Sequence, residues 1–140
     1  MEQRLLLLLL PQPLERFHLE AQARELLLAP GAVAVDPARL PVARLPASLA
    51  AGLAVGQAKR MRLPGTPAAV AIFHPLQFYL GGALLARHPT AELWYGEPEE
   101  RGGLEELHMA AARRAALTFP VTPDVDITPL RLRMVELGIL

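Results

Sequence analysis

Apolar residues fall along this chain in short unbroken runs alternating with longer, helically spaced stripes. Arg4 to Leu10 opens the series with six consecutive leucines, Leu5 to Leu10, the pattern of a strand covered on both faces. Pro11-Gln12-Pro13 ends it. Leu14 to Leu28 follows as a helix, with Pro13 near its start and Pro30-Gly31 stopping it. Ala32 to Val35 predicts a second, shorter strand that exits at Asp36-Pro37, and Pro37, Pro41 and Pro46 make residues 38–46 a loop. Ser48 to Arg62, rich in Ala and Gly, predicts a helix lying close against its neighbours, although Gly52 and Gly56 weaken it. Leu63-Pro64-Gly65-Thr66-Pro67 reads as a turn.

The centre of the chain is the unit that starts at Val70-Ala71-Ile72-Phe73. Four apolar residues bounded by turn formers predict a buried strand, and His74 makes a one-residue turn. A helix then begins on Pro75, because proline's missing N–H is unpaired at a first helical position in any case. Leu76, Tyr79, Leu80, Ala83 and Leu84 supply the stripe that packs back on the sheet, and the helix runs to His88. Gly81-Gly82 inside it permits close packing. Ala91 to Tyr95 is the next strand. The right-handed crossover of such a βαβ unit puts His74 at the carboxyl end of a strand, where ligands sit in open α/β sheets.

Gly96 to Gly103 reads as a polar loop. Leu104 to Ala116 is a helix with Glu105 and Glu106 in its first turn and Arg113 and Arg114 in its last, complementing the dipole at both ends. Leu104, Leu107, Ala111 and Ala115 form its inward stripe. Leu117 to Val121 is a fifth strand, residues 122–126 a loop, and Pro129 to Leu137 a terminal helix stopped by Gly138. The alternation predicts one α/β domain over residues 1–140, with a doubly wound, mainly parallel sheet of about five strands in a Rossmann-like three-layer sandwich.

Composition narrows the function classes. The 14 basic and 14 acidic residues cancel and are scattered along the chain, so no nucleic-acid footprint is visible. The absence of Cys removes disulfides, zinc–thiolate sites and a cysteine nucleophile, and fits a cytoplasmic location. The leucine run is too short to span a bilayer and lacks a cleavage site after it; peripheral membrane contact stays open. Hydrophobic content of 52 % and a mean hydropathy of +0.27 favour a partner domain or a homodimer.

The strand ends would collect Gln12, Asp36, His74, Gln77, Tyr95, Glu97, Thr122 and Asp124 on one rim. An imidazole with several carboxylates beside a crevice can bind a polyol or move protons. Rims of parallel sheets also carry polar residues simply because strands end in water. His74 stands apart because Phe73 and Pro75 hold it at the strand–helix junction, with a ring that can donate or accept near neutral pH. His18 and His108 read as surface or half-buried helix residues, and His88 as a helix-closing one. No His-Glu-x-x-His, Gly-x-Gly-x-x-Gly, Gly-Lys-Ser/Thr or Gly-x-Ser-x-Gly occurs, so neither a metal nor a dinucleotide cofactor is expected.

Phe73-His74-Pro75 after an apolar strand, then Glu92-Leu93-Trp94-Tyr95, then Ala115-Ala116-Leu117-Thr118 and Val121-Thr122-Pro123-Asp124, together resemble the amino-terminal half of a family-4-like glycosyltransferase of the GT-B fold. The resemblance covers residues 68 to 126. It departs where Gly96-Glu97 replaces the aspartate expected after Tyr95, and where Ala116 stands for the aspartate before Leu117. The carboxyl-terminal half, with its nucleotide-sugar site, has no counterpart in the chain.

The resemblance implies an acceptor-binding half for sugar transfer from a nucleotide-sugar donor, incomplete without a second domain and using no bound metal. In that reading His74 orients or deprotonates the acceptor, and Gln12, Gln77, Tyr95, Glu97, Thr122 and Asp124 line the acceptor site for a sugar or polyol. The alternatives are a non-catalytic flavodoxin-like module that binds a small ligand or a protein, and a remnant with no activity of its own.

Overall fold

Five strands, β1 (Arg4–Leu9), β2 (Ala32–Val35), β3 (Thr66–Ile72), β4 (Glu92–Glu97) and β5 (Leu117–Pro120), form one sheet in the order β2-β1-β3-β4-β5. Every neighbouring pair is parallel. The computed structural model describes residues 4–9, 26, 30–35, 45–98, 103–122 and 125–140. Four helices are described within it: α1 (Ala47–Arg60), α2 (Phe78–Arg87), α3 (Glu105–Arg114) and α4 (Thr128–Glu136). The result is the expected Rossmann-like α/β layering, with the strand order of flavodoxin-like sheets.

Alternate residues of each central strand enter opposite layers. Leu5, Leu7, Leu9, Val70, Ile72, Leu93 and Tyr95 face α1, α2 and α3. Leu6, Leu8, Ala69, Ala71, Phe73, Trp94 and Phe119 face Leu26 and α4. Because both faces are covered, the strands need unbroken apolar runs. The leucine run is thus the buried β1, with Leu5 to Leu9 at most 1 % exposed. Leu26 is helical and buried; the rest of the expected Leu14–Leu28 helix lies outside the described residues, as does the Pro37–Arg44 loop.

Several boundaries move, each for a local reason. Strand β3 starts at Thr66, inside the expected turn, and includes Pro67. Leu5 pairs with Pro67 but Leu6 with Ala69, leaving Ala68 as an extra residue. A proline without an N–H is tolerated at such a bulge near a strand's start. Strand β4 runs on through Gly96, where a loop was expected. A Cβ on Gly96 would stand 2.9 Å from Phe73 and Val121 and 3.0 Å from Phe119, so bare backbone lets three side chains close over the strand.

Helix α1 buries Ala50, Ala54 and Ala58, one per turn. Its glycines do not serve that contact: among the described residues nothing lies within 4 Å of a Cβ built on Gly52 or Gly56. Gly81 in α2 does permit close packing, since its Cβ would lie 3.2 Å from Ile72 and 3.4 Å from Leu93. Helix α4 is closed by Gly138 at φ 75°, with Ile139 N–H reaching back to Met134 O at 2.9 Å.

Two ties fix α4 to the amino end of β4. Arg133 donates from Nε and Nη2 to the two oxygens of Glu92, both at 2.8 Å, and from Nη1 to Glu136 at 2.6 Å. Trp94 Nε1 donates to the same Glu92 carboxylate at 2.9 Å, which satisfies the indole of a fully buried ring. The Arg133 bonds first, then the indole, hold the Glu92 carboxyl below its ordinary pKa.

Candidate functional site

The sheet changes direction at β1. Strand β2 lies on one side of it and β3 on the other, which makes the carboxyl ends of β1 and β3 the switch point at which open α/β sheets place a ligand crevice. His74 stands two residues beyond Ile72, the last residue of β3, and lies at that edge. It is extended, at φ −151° and ψ 142°, and caps a 3-10 turn over Pro75–Gln77 that leads into α2. The helix thus begins on Pro75 as expected, but as one tighter turn before the α-helix.

His74 is held by its own cap. Leu76 N–H donates to its Nδ1 at 3.2 Å, and Gln77 N–H donates to its carbonyl at 3.0 Å. An Nδ1 that accepts places the proton of the neutral ring on Nε2. Half-burial lowers the imidazole's pKa from the ordinary 6.5 by desolvation, so the ring is neutral at physiological pH. In this state it is a hydrogen-bond donor.

Gln77 bridges the switch point. Its Nε2 donates to Leu9 O at 2.9 Å, and its Oε1 accepts from Phe73 N–H at 2.7 Å. One side-chain amide therefore joins the carboxyl ends of β1 and β3, beyond Leu8 and Ala71, the last ladder pair among the described residues. The sequence reading put Gln77 on the rim for a ligand; in the structure its polar atoms also complete the sheet.

The remaining rim residues divide. Glu97 is the last residue of β4 and half-buried, and its carbonyl accepts Val121 N–H at 3.0 Å. Thr122 follows β5, half-buried, with its carbonyl accepting Val125 N–H at 3.3 Å. Both lie at the same sheet edge as His74. Gln12, Asp36 and Asp124 lie outside the described residues.

Tyr95 is not a rim residue. It is fully buried two positions before the end of β4, in the layer beneath α3. Its hydroxyl bonds His108 Nδ1 at 2.8 Å, with the rings tilted at 58° and 5.4 Å apart. His108, expected at or near the surface, is only 6 % exposed. The signal for it was present: His108 is four residues after Leu104 and three before Ala111, on the inward stripe of α3. A histidine there needs a buried polar partner, and the strand beneath supplies a tyrosine.

Among the described residues no group of three His, Asp or Glu side chains is arranged to hold a metal ion, and no helix is long and apolar enough to cross a membrane. The edge offers neutral hydrogen-bonding groups with a carboxylate nearby. That arrangement suits a hydroxylated, uncharged ligand better than a phosphate, for which a glycine-rich turn is lacking. No protein-family model, no curated protein and no solved structure matches the chain.

Proposed function

We propose that the crevice between β1 and β3 binds a hydroxylated small molecule, and that the chain is the acceptor-binding half of a GT-B-type sugar-transfer enzyme completed by a second domain. The carrying observation is the pair of side chains at the strand switch: Gln77 fixing Leu9 to Phe73, and His74 held beside it in one tautomer. Side chains fixed in advance at a strand switch orient a hydroxyl without reorganisation. In the transfer, the bond from the sugar's anomeric carbon to the nucleotide phosphate breaks as a bond to the acceptor oxygen forms, and the hydroxyl proton leaves.

His74 acts in this reading as an orienting donor rather than as the base. Accepting a proton on Nε2 requires the other tautomer, which would put a proton on Nδ1 and break the cap to Leu76. A carboxylate is then needed for the proton, and Glu97 at the end of β4 has the chemistry for it.

A non-catalytic binding module is the second reading. It is favoured by the commitment of Gln77 to the backbone and of Tyr95 to the interior, which leaves fewer groups for catalysis.

Saturation-transfer NMR with glucose, mannose, inositol and glycerol tests the shared premise. Signal transfer to at least one polyol, reduced by His74→Ala, is expected. No transfer to any of them refutes a hydroxylated ligand. UDP-glucose or GDP-mannose bound by this chain alone would contradict its assignment as the acceptor half.

A further inference from the structure

The scattered charges are less evenly distributed than the zero sum suggests. Between Asp36 and Glu92 the chain contains no acidic residue, but it has six basic ones: Arg39, Arg44, Lys59, Arg60, Arg62 and Arg87. The other eight basic residues share the rest of the chain with all 14 acidic ones. The described part of this acid-free segment contributes α1 and α2, which pack side by side on one face of the sheet.

Helix α1 has two unlike sides. Ala50, Ala54 and Ala58 point inward. On the opposite side Leu49 is 57 % exposed, and Leu53 and Val55 are each 44 % exposed. At 3.6 residues per turn, Lys59 falls one turn after Val55, and Arg60 falls two turns after Leu53. These five side chains therefore share the outward face, with Gly52 and Gly56 as a bare strip between them. Lys59, Arg60 and Arg62 are all exposed, as is Arg87 at the end of the adjoining α2.

Compensation of the helix dipole explains Lys59 and Arg60 alone. It does not explain Arg62 beyond the helix end, three exposed aliphatic side chains, or the exclusion of acid from both helices.

We infer that the outer face of α1 docks on an anionic membrane surface. Leu49, Leu53 and Val55 enter the boundary between headgroups and acyl chains, while Lys59, Arg60 and Arg62 meet the lipid phosphates. Interfacial helices combine aliphatic and Lys/Arg side chains in this way, and long basic side chains can reach back to the headgroup level. The three exposed aliphatic side chains ahead of the basic cluster favour a lipid surface over a purely acidic partner, which would match the charge alone. The inference uses none of the side chains of the His74 site, so it does not depend on the ligand bound there.

Vesicle co-sedimentation of the whole chain tests it, comparing phosphatidylcholine vesicles with vesicles containing phosphatidylglycerol. Binding is expected to the anionic vesicles only, and to weaken as salt is raised. Arg60→Gln should lower the partition coefficient about fivefold, and Lys59→Gln/Arg60→Gln/Arg62→Gln about a hundredfold, since each charge near the surface contributes similarly. Leu49→Ser/Leu53→Ser should also reduce binding with all charges retained. Arg131→Gln, one exposed charge on α4 across the sheet, should change it less than twofold. All positions are exposed, and an unchanged thermal midpoint verifies folding.

No binding to anionic vesicles at low salt overturns the inference. So does equal binding to neutral vesicles, or an Arg131→Gln loss matching that of Arg60→Gln. Capture of poly-glutamate by a chain that ignores vesicles would assign the face to an acidic protein instead.

Discussion

Gln77→Ala removes the only side-chain link described between the carboxyl ends of β1 and β3. Two hydrogen bonds go, at 2.9 Å to Leu9 O and 2.7 Å from Phe73 N–H, and both backbone groups lose that partner. A neutral hydrogen bond contributes about 1 kcal/mol net, and an orphaned buried group costs about 1–3 kcal/mol. The site is half-buried, so water recovers part of that loss, and the total comes to about 2–3 kcal/mol. For a chain of this length that lowers the melting temperature by about 6–12 °C.

Urea unfolding followed by fluorescence suits the measurement, because Trp94 is the one tryptophan and is fully buried. The midpoint should fall by roughly 1 M with the slope unchanged. Gln77→Glu sharpens the test. An ionised carboxylate can still accept from Phe73 N–H but faces Leu9 O with a lone pair instead of a donor. Protonation restores the donor, so folding raises this carboxyl's pKa, and the variant regains stability as pH falls and loses it as pH rises. If Gln77→Ala unfolds within about 0.5 kcal/mol of the parent, the amide does not join the strands and the crevice is not preset.

Three other substitutions probe separate features. His74→Asn keeps an oxygen that can cap Leu76 N–H but removes the titration. Since burial depresses the imidazole's pKa below 6.5, the folded parent binds fewer protons than the unfolded chain. Its full stability holds above pH 6.5 and is lost as pH falls through the folded-state pKa. His88 shifts the same way, so the informative quantity is the difference in urea midpoint between parent and variant, which should widen above pH 6.5 relative to more acidic buffer. Gly96→Ala places a methyl 2.9 Å from Phe73 and Val121 and should destabilise by about 1–3 kcal/mol in the same assay; a neutral result would mean those side chains yield freely. Tyr95→Phe deprives the buried His108 Nδ1 of its partner at 2.8 Å and should lose about 1–3 kcal/mol; a double-mutant cycle with His108→Leu showing no coupling would exclude the bond.

The architecture was legible because its strands are uninterrupted apolar runs and its helices have the 3.6-residue stripe. Leu5 to Leu9, Ala32 to Val35 and Val70 to Ile72 are strands for that reason. What sequence reading missed depends on the third dimension. Pro67 looks like a turn former until the bulge opposite Leu5 and Leu6 absorbs its missing N–H. Gly96 looks like a loop residue until Phe73, Phe119 and Val121 close over it. Tyr95 was assigned to the rim because a strand was expected to end there; two further residues of β4 move it inside. The site was legible only to the level of which strand end carries His74. That Gln77 reaches back 68 residues to Leu9 is a fact of topology no local pattern contains.

Charge was the least legible property, and the fold itself explains why. In a parallel α/β sheet each crossover helix runs against the strands, so the helices' carboxyl ends gather at the sheet's amino edge. Cations favoured there by the dipole, such as Lys59, Arg60, Arg87, Arg113 and Arg114, are far apart in sequence yet belong to three helices of one layer. On α4 the corresponding cation, Arg133, is neutralised by Glu92 and Glu136; for α1 the acid-free segment supplies no such counter-charge of its own. Electrostatic and hydrogen-bonding functions are thereby divided between the sheet's two edges: a cationic edge at the basic ends of the helices, and a largely neutral crevice at His74 and Gln77. Contact with an anionic surface along α1 would leave that crevice available to a ligand, because the imidazole and amide that shape it belong to the turn after β3 and its cap, not to the docking helix.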